Sequence, residues 1–81
     1  MVKIQKARYP RLTKLEALMS GYEITRDMIA KNIGRSYGTV SRYISGITDI
    51  PLSDMRLIAR FISEITQKQF TIFDVFEKSV E

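Results

Sequence analysis

Apolar positions recur along this chain at helical spacing, in short runs that each end at a turn-forming residue. From Arg11 onward, Leu12, Leu15, Leu18 and Met19 fall on one face of a first helix, and Gly21 is expected to stop it. Tyr22-Glu23-Ile24 reads as a short connection. Thr25 then has the chemistry of an N-cap, with Asp27 in the first turn where the helix dipole favours an anion. Met28, Ile29 and Ile33 give this second helix its apolar stripe, and Gly34 ends it. Ser36 caps a third helix with Val40, Tyr43 and Ile44 on its inner face and Gly46 as its stop. Residues 47–52 read as a loop. Ser53 is expected to cap a fourth helix, whose Leu57, Ile58, Phe61, Ile62 and Ile65 make a broad apolar stripe. In the apolar segment that follows, Thr71 and Asp74 have the spacing of a capping pair. A fifth short helix is the favoured reading there, and the alternation of Phe70 to Phe76 leaves a strand open. Residues 1–10 read as a basic arm closed by Pro10, although Val2 and Ile4 alternating with Lys3 and Gln5 also admit a short strand. The predicted fold is an all-α domain of four to five helices over residues 11–81.

Composition narrows the chemistry. With 81 residues the chain has material for one small domain, and 44% hydrophobic residues is an ordinary globular share. It has no His and no Cys. A Ser-His-Asp or Cys-His nucleophile is therefore excluded, as are imidazole or thiolate metal sites and disulfides. No run approaches the length of a membrane span, and the opening Met-Val-Lys-Ile-Gln-Lys lacks the apolar stretch of a signal peptide. A cytoplasmic binding module without metal or cofactor is expected, rather than an enzyme.

Charge is unevenly placed. Residues 1–46 carry nine basic side chains against three acidic ones, a net +6; residues 47–81 carry four against six, a net −2. A basic half opposed to an acidic half attracts a polyanion and orients the domain as it arrives.

Residues 25–46 carry the strongest functional signal. Two short helices that cross steeply need a small residue where they touch, a left-handed residue in the tight turn, and a branched apolar side chain sent back into the angle. Ala30, Gly34 and Val40 supply these, four and then six residues apart. This is the spacing of a DNA-binding helix-turn-helix.

The run from Thr25 through Ala30, Gly34, Val40 and Ile44 to Gly46, continued by Pro51 and by Leu57, Ile58, Ala59 and Phe61, resembles the Cro/repressor (lambda-repressor-like) helix-turn-helix family of phage and bacterial transcriptional regulators. The likeness covers roughly residues 11–65. Arg26 stands where that family often has a polar residue such as Gln, and Gly38 where it usually has a better helix former. The resemblance implies a sequence-specific regulator of duplex DNA, acting as a small Cro-like repressor that occludes a promoter.

The third helix is then the recognition helix. With Val40, Tyr43 and Ile44 turned inward, its outer face holds Tyr37, Gly38, Ser41, Arg42 and Ser45. Tyr37, Gly38, Ser41 and Arg42 are the expected base readers, and Arg42 leads them because its guanidinium matches guanine O6 and N7 together. Gly38 either lets the helix sit deeper in the groove or is simply tolerated. By resemblance, Arg26, Arg35, Ser36 and Thr39 contact phosphates, and Ser45 is placed with them. The helix N-termini at Thr25 and Ser36 add oriented N–H groups. Lys31 reads as solvated surface. Lys3, Lys6, Arg8 and Arg11 either follow the DNA backbone, enter a minor groove or form a solubilising terminus. Phe70, Phe73 and Phe76, within the apolar segment 70–80, either close the core or form a homodimer contact. A two-fold dimer reads two half-sites about 34 Å apart and so prefers a palindromic operator. The alternative is an antitoxin-type or regulator-binding protein-interaction module on the same frame.

Overall fold

The computed structural model describes residues 7–76. They form five α-helices, with no strand among the described residues: α1 (Thr13–Tyr22), α2 (Arg26–Ile33), α3 (Tyr37–Ser45), α4 (Leu52–Thr66) and α5 (Ile72–Val75). The all-α expectation holds. α2 packs against α3 and α4, while α1 packs against α3 and α5, and α5 also meets α4. Their shared core includes Leu15, Ile29, Val40, Ile44, Ile58, Ile62, Val75 and Phe76, all fully buried.

Both ends of α1 differ from expectation. α1 starts at Thr13 rather than Arg11, whose guanidinium instead donates to the Glu16 carboxylate at 2.9 and 2.8 Å. It also runs through Gly21 to Tyr22, and Glu23 is the left-handed residue that ends it, with φ 57°. The reason is tertiary. Ending there lets Ile24 turn into the core, with its N–H on the Met19 carbonyl at 2.8 Å, and sets the Tyr22 ring edge-on to Phe70. Gly21 is left as an exposed helical residue, and a Cβ added there would meet nothing within 4 Å. Gly21→Ala is therefore expected to raise stability by about 0.5–1 kcal/mol, because a helical glycine loses more backbone entropy on folding than alanine. Urea denaturation checks this, and a lower midpoint would contradict it.

α4 begins at Leu52, with Pro51 as its N-cap and no side-chain cap, so Ser53 lies inside the helix rather than before it. Proline holds φ at −71°, already suited to helix entry, and its carbonyl accepts from the N–H groups of Asp54 and Met55. The apolar stripe is also narrower than expected. Ile58, Ala59 and Ile62 face the core, Phe61 is half-buried, and Leu57 and Ile65 are exposed. Asp54 occupies the remaining inward position, four residues before Ile58.

The other ends follow local chemistry. The Thr25 hydroxyl accepts from the Met28 N–H and the Ser36 hydroxyl from the Thr39 N–H, each at 3.1 Å. Gly34 and Gly46 close α2 and α3 in the left-handed region at φ 74° and 83°. Thr71 and Asp74 form a reciprocal capping box, so the segment after α4 is a short helix and not a strand. Phe76 closes the core, Phe70 is half-buried and Phe73 stays exposed.

The root of the basic arm is tied to the end of α3. The N–H groups of Arg8 and Tyr9 both donate to the Gly46 carbonyl, at 2.8 and 2.9 Å, and Leu12 donates to Ile44. Gly46 is required twice over, since a Cβ there would collide with the Tyr9 carbonyl. The expectations for Lys3, Lys6 and the Val2/Ile4 alternation, and for the apolar segment beyond Phe76, lie outside the described residues.

Candidate nucleic-acid interface

α2 and α3 are joined by only three residues, Gly34, Arg35 and Ser36. The left-handed Gly34 lets the chain turn, and the Arg35 N–H closes on the Ala30 carbonyl at 3.0 Å. Ala30 and Val40 are both buried, as their spacing anticipated, and Val40 has 0% exposure. Tyr43 and Ile44 complete the inner face of α3, which leaves the opposite face outward.

That outer face separates into two hydrogen-bonded groups. In one, the Ser36 and Thr39 hydroxyls lie 2.9 Å apart, and Arg42 donates through Nη2 to Thr39 Oγ1 at 3.3 Å. Arg42 is exposed, and Tyr37, at the start of the helix, is 55% exposed. A Cβ on Gly38 would lie 3.4 Å from Arg42 Nη1. The space that Gly38 leaves is thus occupied by the arginine, an arrangement that neither sequence reading of this glycine anticipated.

In the second group, Arg26 at the start of α2 donates through Nη1 to Ser41 Oγ at 3.1 Å, and its Nη2 lies 3.6 Å from the Glu16 carboxylate. Glu16 thereby holds both Arg11 and Arg26. Ser45 is half-buried and donates to the Ser41 carbonyl within its own helix. Lys31 faces solvent and pairs with Asp27 one turn earlier.

Arg35 is not gathered with these. Its Nε and Nη2 reach Asp54 on α4 at 3.0 and 3.3 Å, and the same carboxylate accepts from the Tyr43 hydroxyl at 2.8 Å. Asp54 is 2% exposed, so all three bonds are needed to hold a charge out of water. It ties the α2–α3 turn and the last turn of α3 to α4. Sequence reasoning missed it, although one signal was present: Asp54, Ile58 and Ile62 share one stripe, and an acid on an inward stripe demands partners.

Burial pushes the Asp54 carboxyl up, but the bonds from Arg35 and Tyr43 and the Arg35 charge outweigh it, leaving it below its ordinary value of 3.8. Burial and the Asp54 contact both push the Tyr43 hydroxyl up. A carboxyl with a depressed folded value stabilises fully above the ordinary carboxylate range, and that contribution is lost as pH falls through the range to the folded value. Asp54→Asn is expected to cost about 1–3 kcal/mol at neutral pH, through weakened bonds at a buried site. It should also flatten the acid limb of stability against pH. Urea titrations at stepped pH check both, and an acid limb unchanged from wild type would contradict the assignment.

No family model, curated protein or solved structure matches this chain.

Proposed function

We propose that this chain is a sequence-specific duplex-DNA-binding domain, with α2 and α3 as a helix-turn-helix of the Cro/repressor type and α3 entering the major groove. The observation that supports this most directly is the outward face of α3. Tyr37 and Arg42 are exposed rather than covered by the chain itself, beside the hydroxyls of Ser36, Thr39 and Ser41, while Val40, Tyr43 and Ile44 hold the helix from behind. Arg42 reads a base edge, and Arg26, Ser36 and Thr39 hold phosphates. Arg35 contributes by fixing α3 against α4 through Asp54. The domain binds rather than transforms, and it works in the cytoplasm as a regulator that occludes a promoter.

A protein-interaction module on the same frame is the second reading. It draws on Arg26 and Arg35, which each face a carboxylate and so offer less free charge to phosphates.

Fluorescence anisotropy of a labelled duplex of arbitrary sequence, titrated with protein at several salt concentrations, separates the two. Duplex binding is expected at low salt, with log affinity falling against log salt by a slope of about −0.9 per phosphate contacted, because bound phosphates release counterions. Absence of binding at low salt, or an affinity indifferent to salt, overturns the DNA reading.

A further inference from the structure

We propose that Arg11 and Arg26 form a phosphate-binding site, and that the Glu16 carboxylate is the internal occupant which an incoming phosphate displaces. The two guanidiniums come from separate segments, one just before α1 and one at the start of α2, and they converge on a single oxygen. Arg11 donates through Nε to Glu16 Oε1 at 2.9 Å and through Nη2 to Oε2 at 2.8 Å. Arg26 brings its own Nη2 to 3.6 Å from the same Oε2, while its Nη1 donates to Ser41 Oγ on α3 at 3.1 Å. Two guanidiniums around one oxyanion are a donor set for phosphate, because their forked N–H groups match phosphate and carboxylate oxygens alike.

The other ion pairs among the described residues are of different kinds. Lys31 with Asp27 and Arg60 with Glu64 each join neighbours one turn apart on a single helix. Asp54 is buried and held by three bonds from Arg35 and Tyr43, so no incoming anion reaches it. The Glu16 side chain is 30% exposed, and that of Arg11 more so. Ion pairs open to water hold weakly, so a phosphate can take the carboxylate's place. Two guanidiniums against one carboxylate leave the cluster positive while Glu16 is still seated, and that attracts the anion.

The bond from Arg26 to Ser41 sets this cluster at the edge of the outer face of α3. The site itself stands without the DNA reading. That its phosphate belongs to a duplex backbone rests on that reading, and Glu16 then restrains sequence-independent binding, since a phosphate contact is made with every duplex alike.

Backbone amide spectra of the full chain, titrated with inorganic phosphate at constant ionic strength, test the site. Shifts that saturate at Arg11, Glu16 and Arg26 are expected, with binding about fivefold tighter in Glu16→Gln, the scale of one exposed ion pair. Glu64→Gln removes the same charge from α4 and should leave phosphate binding unchanged. No saturable shift in either wild type or Glu16→Gln overturns the site, as does one dissociation constant shared by both, whether or not a duplex binds. Anisotropy with a duplex of arbitrary sequence then tests the source of the phosphate. Glu16→Gln should steepen the salt slope by about 0.9 and tighten binding about fivefold or more near 0.1 M salt. Adding Arg11→Gln and Arg26→Gln should cancel that gain. Phosphate binding without duplex binding upholds the site and removes the DNA reading. A duplex bound equally by wild type and Glu16→Gln overturns the backbone phosphate as the occupant.

Discussion

Replacing Val40 with aspartate is expected to unfold the domain. Val40 has no exposed surface and sits where α3 meets α2, so a carboxylate placed there would be buried with no partner. An unpaired ionised group in an apolar interior costs far more than one hydrogen bond returns, and a domain of this size has only a few kcal/mol of stability to lose. The whole helical signal in far-ultraviolet circular dichroism should therefore disappear at neutral pH. Val40→Ala separates charge from packing. It removes two methyl-sized groups, worth about 1.5 kcal/mol, and should leave a folded, less stable domain. A cooperative thermal transition in Val40→Asp near the wild-type temperature would mean that α3 does not pack through this residue.

Those parts of the fold that depend on neighbours in sequence were legible in it. Thr25, Ser36 and Thr71 cap helices because their hydroxyls need only reach an N–H three residues on, and Gly34 and Gly46 close helices because the left-handed turn is local. The outward position of Tyr37 and Arg42 was legible too, since it is what remains once Val40, Tyr43 and Ile44 turn inward. What depends on distant residues was not. Gly21 looks like a stop, but the place of α1's end is decided by Ile24 reaching the core and Tyr22 reaching Phe70, which is 48 positions further along the chain. Ser53 looks like a cap, yet Pro51 starts α4 two residues earlier. Leu57 and Ile65 belong to the apolar pattern, but the arc of α4 that α2 and α5 cover is centred on Ile58 and Ile62. Arg35 and Asp54 stand 19 residues apart, and their pairing turns toward α4 a guanidinium that the resemblance had set among the phosphate contacts.

That displacement sharpens the expectation for the remaining arginines. Arg42→Ala is expected to erase sequence preference without harming the fold, whereas Arg26→Ala should weaken binding to every duplex alike. Arg42 is exposed, and its hydrogen bond to Thr39 Oγ1 is long at 3.3 Å, so its loss leaves the helix with its cap and its inner face intact. What it takes away is a paired donor set able to span guanine O6 and N7, a contact worth about 1–3 kcal/mol of discrimination, or roughly five- to 150-fold between the best site and an arbitrary one. Arg26 is different, because it is half-buried and already held by Ser41 and Glu16. On the proposed docking of α3, a cation at the start of α2 meets the sugar-phosphate backbone and not a base edge, so its removal should lower the salt slope by about one and leave the ranking of sites unchanged. The comparison is made on a duplex selected from a random library by the wild-type protein, with both variants titrated against it and against an arbitrary duplex. If Arg42→Ala binds the selected duplex as wild type does, the specificity lies elsewhere on α3, with Tyr37 and Ser41 as the remaining outward side chains. If Arg26→Ala changes which sites are preferred, the start of α2 reaches the bases, and the division between the two arginines is reversed.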